Sequence, residues 1–312
     1  MGIRVDAAAC NNIGGRKNNE DNFYLNGVYL PREEMDKGGV AARGCSRPTQ
    51  IYAVFDGMGG ASNGEDASSY ATVQLAEYQK KCSFPEQSGN LRRFLTKVSE
   101  GIVEMSVSKG VRPGGCGSTA AMVMVGDSWY RTAHVGDSRV YLLRDGQLSR
   151  VTKDQSEVQR MVDAGQITLD EAWSHPRKNV ITRHLGMVLR TKQLDSVISG
   201  RKTLYPGDLI MICSDGVNDN LRDSEIRQIL DPGKSAETNA VNLVKASRKR
   251  AAEMGIQSDN ITAVVLVIRS VANARAEHRR LRKLYVERVL AASGAFLCAL
   301  ACGACIVRAL MH

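Results

Sequence analysis

Short, almost unbroken apolar runs punctuate this chain, and most of them stop at an acidic residue or a glycine. Ile51–Phe55, Ala120–Val125, Trp129–Val135, Val140–Arg144, Leu209–Cys213 and Ile261–Ile268 are such runs. Their length and their turn-forming borders predict buried β-strands. Asp145-Gly146, directly after the fourth run, predicts a tight hairpin. Helical periodicity fills the gaps. Leu91, Leu95, Val98, Ile102 and Met105 recur at spacings of four and three, which puts them on one helical face. Asn63 is placed to cap a helix running from Gly64 to about Gln79, and a third helix is predicted over Ala236–Met254 with Gly255 as its stop. Residues 153–195 are polar and irregular, as a mobile flap over a site would be. Strands, paired helices, more strands and a late helix predict an α+β architecture, with sheets packed on each other and helices outside.

Composition adds a boundary. With 312 residues, 43% hydrophobic and 24% charged, the chain can bury a proper core, and one large domain plus an appendage is expected. The net charge of +9 is unevenly spread. Seven basic residues against two acidic ones fall between Arg269 and Arg288, so over half of the excess sits in one short segment. The remainder is mildly basic and poor in aromatics, which argues against nucleic acid as a partner. The eight cysteines are scattered or lie in the apolar tail. Cys302 and Cys305 form a C-x-x-C without the second pair or histidine of a zinc set, so reduced thiols are expected. The first ten residues lack the apolar core of a secretory signal, and Asp6 stands where myristoylation needs Ser or Thr.

Carboxylates at strand ends are the feature that carries chemistry. Asp56, Asp215 and Asp259 each abut an apolar run, and Glu20-Asp21 follows a short N-terminal one. One Asp-Gly after a strand is an ordinary turn. Four such clusters in one chain are different, because neighbouring strands would bring them to one edge, where mutual repulsion calls for a cation. Carboxylates without His or Cys suit hard Mg²⁺ or Mn²⁺. Two such ions can share a water and lower its pKa, which serves phosphoester hydrolysis.

The sequence resembles the metal-dependent protein phosphatase family (PPM, protein phosphatase type 2C) in its bacterial form. The resemblance rests on RKNNED at 16–21, AVFDGMGG at 53–60, CGST at 116–119 and HVGDSRVYLLRDG at 134–146. It continues with LYPGDLIMICSDGVNDNL at 204–221 and SDNITAVVLV at 258–267, and HPRKNVITRHLG at 175–186 is similar to the family's flap. The resemblance implies a phosphoserine/phosphothreonine phosphatase of four αββα layers, built on two antiparallel sheets, spanning residues 1–270. It implies that Asp56 bridges two metals, that the Gly57 carbonyl binds one of them, and that Asp215 and Asp259 complete the first shell. Glu20 would act on the second metal, with Asp21 a direct or supporting partner. Arg16 would grip substrate phosphate with its planar fork. Asp137 and Asp219, with Asp215, would hold a third ion. Asn260 would orient Asp259, and Thr119 matches a hydroxyl near the site or is a structural strand residue. Met58 stands where many eukaryotic members carry a proposed general-acid histidine, while Ala61 and Gln155 replace histidines common in bacterial relatives. His134, His175 and His184 lack ligand spacing. Phosphoproteins, and a kinase opposing the reaction, are the implied partners. A catalytically weak phosphoprotein-binding module of the same fold is the alternative reading.

Beyond the domain, Val289–Val307 is free of charge over 19 residues and follows the basic stretch of 271–288. That is close to the roughly 20 residues a spanning helix needs. The basic flank predicts a C-terminal transmembrane anchor at 289–307 with the catalytic domain in the cytoplasm.

Overall fold

Strands that are apolar at every position need cover on both faces, and the computed structural model supplies it. It describes residues 2–45, 49–59, 63–82, 87–188 and 193–272. Ala61 and the expected transmembrane segment at 289–307 lie outside the described residues, as does nearly all of the 271–288 segment. Among the described residues no helix is long and apolar enough to cross a membrane. The described strands and helices all belong to one compact unit, Gly2–Val271.

The chain opens with β1 (Arg4–Asn12), β2 (Asp21–Leu25), a 3₁₀ turn (Arg32–Lys37), β3 (Gly39–Cys45) and β4 (Gln50–Gly59). Helices α1 (Gly64–Lys81) and α2 (Ser88–Ser108) come after them, then β5 (Cys116–Ser118), β6 (Ala120–Val125), β7 (Trp129–Val135), β8 (Arg139–Arg144) and β9 (Gln147–Arg150). Next come α3 (Glu157–Asp163), α4 (Leu169–Ser174), β10 (Val197–Ile198), β11 (Lys202–Thr203) and β12 (Leu209–Cys213). The last elements are α5 (Asp215–Asn218), α6 (Asp223–Ile229), α7 (Ala236–Glu253) and β13 (Ile261–Ser270). One antiparallel sheet has the order β3-β1-β13-β12-β8-β9. The other runs β10-β7-β6-β4-β2, with β11 also on β7 and β5 on β4.

Alternation along each strand explains the layers. Ile51, Ala53 and Phe55 of β4 pack with Leu75 of α1 and Leu95 of α2. Tyr52 and Val54 therefore point to the opposite side, where β4 meets β13 of the other sheet. In β13, Ala263, Val265 and Val267 pack with Leu243 and Val244 of α7, which leaves Val264 and Leu266 for the inter-sheet face. The order is helices, sheet, sheet, helix, as expected from the sequence.

Differences from the sequence reading are local. β4 continues to Gly59, because β5 pairs with Gly57–Gly59 and prolongs the ladder. The flap region is not irregular throughout. Ser156 caps α3 through the Gln159 N–H, and Thr168 with Glu171 forms a capping box on α4. The signature Thr-x-x-Glu was present in the chain at 168–171. The Asp145-Gly146 hairpin forms as expected, with φ of 48° and 79°, the positive pair that a two-residue turn requires.

Leu266 is fully buried, and β10 residue Val197 is 46% exposed. Leu266→Ala should lower the unfolding free energy by about 2–5 kcal/mol, whereas Val197→Ala should change it by less than about 0.5 kcal/mol. Urea denaturation measures both, and equal effects would show that the inter-sheet face is not a packed core.

Candidate metal centre

Antiparallel register gathers the acidic residues. β2 begins where β4 ends, so Asp21 lies directly opposite Asp56. β12 ends where β13 begins, with Cys213 opposite Ala263. Asp215, the first residue of α5, and Asp259, two residues before β13, therefore share that end of the sandwich. Arg139 pairs with Cys213 and brings the β7–β8 turn, with Asp137, to the same place. Glu20 and Asp21 open a strand rather than close one, contrary to the sequence reading; reversal of direction between β2 and β4 still delivers them to the same end.

Backbone clamps fix these groups. Thr119 accepts a hydrogen bond from the Asp56 N–H at 3.1 Å on its Oγ1, and its own N–H donates to the Asp56 carbonyl at 2.8 Å. Thr119 is thus a holder of the Asp56 main chain. The Gly57 N–H donates to the Glu20 carbonyl at 3.0 Å. A Cβ on Gly57 would run into the carbonyls of Gly64 and Glu20, so only glycine allows this approach. Asn260 does more than orient Asp259. Its main-chain N–H donates to Asp259 Oδ1 at 2.8 Å, while its side-chain Oδ1 accepts from the Glu20 N–H and its Nδ2 donates to the carbonyls of Ile13 and Asn18. Asp21 is 1% exposed, and its Oδ2 accepts from the hydroxyls of Ser214 and Thr262, both at 2.7 Å. Asn11 donates to Thr262 Oγ1 at 2.8 Å and accepts from Asn19, closing a polar network between the sheets. Ser214, Thr262 and Asn11 did not stand out in the sequence, since lone polar residues beside apolar runs carry no signal of their own.

The charges are poorly compensated. Burial first, then the charge of Asp215 for Asp56 and of Asp219 for Asp215, push both carboxyls well above the ordinary range. Burial lifts Asp21 to about 7 against the hydroxyl bonds that oppose it. Asp137 is lifted to about 7 by burial and then by Asp154 and Asp219. Glu20 reaches about 7 through burial, then Glu65 and Asp259. Two cations reach into the group. Arg16 Nη2 pairs with Asp259 Oδ2 at 2.6 Å, and Lys178 of the flap pairs with Asp219 Oδ2 at 2.8 Å. A cavity of about 440 Å³ opens between the flap and α5, and Asp137, Asp215, Asp219, Trp173 and Lys178 line it. Trp173 donates from its indole N–H to the Asn218 carbonyl at 3.0 Å, which docks the flap onto α5.

Among the described residues no three Asp, Glu, His or Cys side chains are drawn together closely enough to enclose an ion. The donor chemistry nevertheless fits hard divalent cations: carboxylate and carbonyl oxygens throughout, a glycine cradle at 57, and a buried carboxylate oxygen of Glu65 without a hydrogen-bond partner. The histidines are engaged elsewhere. His134 and His184 bond the carbonyls of Lys153 and Leu185, and His175 bonds the Arg177 N–H. Gln155 accepts from the Gly136 N–H and donates to the Asp195 carbonyl, tying the turn that carries Asp137 to the end of the flap.

The sequence profile of the family described as protein phosphatase 2C matches residues 41–253. The serine/threonine protein phosphatase PstP of Mycobacterium tuberculosis is 33% identical over 219 residues, which are 69% of this chain and 40% of PstP. The chain thus spans well under half the length of that relative. The serine/threonine phosphatase stp of Listeria welshimeri is 31% identical over 240 residues, 76% of this chain and 90% of its own. The crystal structure of the M. tuberculosis phosphatase PstP/Ppp superimposes with a TM-score of 0.69 at 28% identity, over 85% of this chain and 99% of that one. A second PstP structure, of the catalytic domain in complex with two manganese ions, gives 0.67 at 26% identity, over 86% and 100%. With two sheets between helices, carboxylates gathered at one end and a profile match over two thirds of its length, the chain belongs to the protein phosphatase 2C family.

Proposed function

We propose that this chain is a metal-dependent serine/threonine protein phosphatase, and the observation that carries the reading is the convergence of Asp56, Asp215, Asp259, Glu20 and Asp21 on one end of the sandwich. Asp56 and the Gly57 carbonyl, with Asp215 and Asp259, would hold one Mg²⁺ or Mn²⁺. Asp56 and Glu20 would serve a second, supported by Asp21. Asp137 and Asp219 flank Asp215 in the cavity and would serve a third. Bound there, such ions supply a water of lowered pKa and screen the phosphate charge. The chain's own residues do the rest. Arg16 lies at the mouth of the site with its side chain 54% exposed, able to exchange its Asp259 partner for substrate phosphate. Asp259 would then be left to the cation. Met58 cannot donate a proton, so the departing alkoxide takes one from water. The substrates are phosphoserine and phosphothreonine proteins, with a protein kinase making them. The two-manganese PstP structure supports the metal dependence.

Asp56→Asn should lower Mn²⁺-dependent hydrolysis of a phosphothreonine peptide by several orders of magnitude, because a carboxylate that would serve both ions is lost. A folded Asp56→Asn protein with the wild-type rate would refute the two-ion reading.

The raised carboxyls also set a pH dependence for the protein stripped of metal. Glu20, Asp21 and Asp137 sit near 7 in the fold, above the roughly 4 of an unfolded carboxyl. Their protonated forms favour folding, so this contribution is complete below about pH 4 and is lost as pH rises through about 7. In chelator the melting temperature should be lower at pH 8 than at pH 5.5, and millimolar Mn²⁺ should restore it at pH 8. A flat profile in chelator would mean that the carboxylates are compensated within the protein.

We also propose that residues 289–307 anchor the chain in a membrane, with the basic segment 271–288 on the cytoplasmic side. Nineteen uncharged residues rising about 1.5 Å each nearly match a hydrocarbon core of roughly 30 Å. Each basic residue near an anionic leaflet adds about 1 kcal/mol. The protein should stay in the membrane pellet through an alkaline carbonate wash, and Leu297→Arg should release much of it. Complete extraction of the wild type would end this reading.

A further inference from the structure

Glu65, the second residue of α1, is 2% exposed. Its Oε1 accepts from Arg32 Nη2 at 2.7 Å and from Asn18 Nδ2 at 3.5 Å. Among the described residues its buried Oε2 has no hydrogen-bond partner. Native interiors rarely leave a carboxylate oxygen in that condition, since the lost hydration goes unreplaced.

The neighbourhood shows where the spare oxygen can act. Gly64 abuts the Glu20 carboxylate: a Cβ there would stand 2.5 Å from Glu20 Oε1. Glu65 thus lies in the first turn of the helix against which Glu20 rests, and after burial its charge is the largest influence on the Glu20 carboxyl. The cations nearby are committed to the other side. Arg32 Nε bonds Asp66 Oδ1 at 2.9 Å, and Lys109 takes Asp66 Oδ2. Asp66 is therefore matched on both oxygens and Glu65 on one, while the second Glu65 oxygen remains for a donor between it and Glu20.

We propose that Glu65 is a positioning residue of the metal centre, its Oε2 accepting a hydrogen bond from the hydration shell of the cation that Glu20 serves. That ion is then gripped by two carboxylates from different elements, the entry to β2 and the first turn of α1. An outer-shell acceptor of this kind fixes the orientation of the groups on the ion, and its removal costs 10–100-fold in metal affinity in comparable sites. The inference rests on the proposed two-ion reading and deepens it.

Calorimetric titration of Mn²⁺ into the metal-free full chain, solubilised in a non-ionic detergent, tests it with Glu65→Gln and Arg32→Gln. The wild type should fill the two sites that share Asp56, apart from any ion at Asp137 and Asp219. Glu65→Gln should keep one at its wild-type affinity and weaken the other about 10–100-fold, with no loss of melting temperature in chelator. Arg32→Gln removes the partner shared by Glu65 Oε1 and Asp66 Oδ1, and a positive charge, but leaves Oε2 in place, so it should leave Mn²⁺ affinity unchanged or raise it. If Glu65 served only to pair with Arg32, Glu65→Gln would lower the melting temperature in chelator and bind Mn²⁺ as the wild type does; that result overturns the proposal. Should the glutamine variant not fold, Glu65→Asp keeps the charge but withdraws the oxygen, and undiminished binding by it overturns the proposal equally. A wild type that binds no Mn²⁺ overturns the metal-centre reading itself, and this inference with it.

Discussion

Like charges held together at the end of a sandwich are the constraint around which this structure is organised. Burial, then the charges of Asp215, Asp21 and Asp137, raise the Asp56 carboxyl, and burial with Asp219 and Asp137 raises Asp215, while strand register sets Asp21 opposite Asp56. The backbone therefore has to resist the repulsion. Paired hydrogen bonds between Thr119 and Asp56, a glycine contact at Gly57 that excludes any side chain, and the threefold grip of Asn260 on the 13–20 loop provide that resistance. Each acts on the main chain of the segments that carry the acidic residues. Side chains that must be free to meet an ion are held by their stems.

Neutral donors are used where a positive charge would compete with an ion. Asp21, the most buried carboxylate of the group, meets hydroxyls from Ser214 and Thr262 rather than Arg or Lys. The same three residues join the sheets: Asp21 opens β2, Ser214 follows β12 and Thr262 lies in β13. The cations that pair directly with Asp259 and Asp219 come from the periphery. Arg16 is largely exposed, and Lys178 comes from the flap, whose Trp173 docks onto the Asn218 carbonyl at the end of α5. Those contacts can be exchanged without disturbing the sandwich.

Much of this was legible in the chain. Apolar runs gave β4, β6, β7, β8, β12 and β13, periodicity gave α2, cap and stop residues marked α1 and α7, and Asp-Gly gave the β8–β9 turn. Candidate ligands were legible because four acidic clusters beside apolar runs in one chain exceed what ordinary turns account for, and because their motifs resemble those of the family. Less accessible were Ser214, Thr262 and Asn11, which acquire a role only when β1, β2, β12 and β13 are side by side. Glu65 was equally silent, since an acidic residue in a first helical turn is ordinary. Its distinction is one unpartnered oxygen in a buried place.

By itself, the sequence indicated the main strands and the three long helices, sheets packed on each other with helices outside, and the carboxylates beside apolar runs. These come from local periodicity, and from side-chain chemistry that does not depend on context. Tertiary structure decided which carboxylates meet. Asp21 lies opposite Asp56 because β2 and β4 run in opposite directions, and β4 reaches Gly59 because β5 arrives from beyond two intervening helices to pair with it. Strand direction and pairing are long-range choices fixed by packing of whole faces, and no window of sequence contains them.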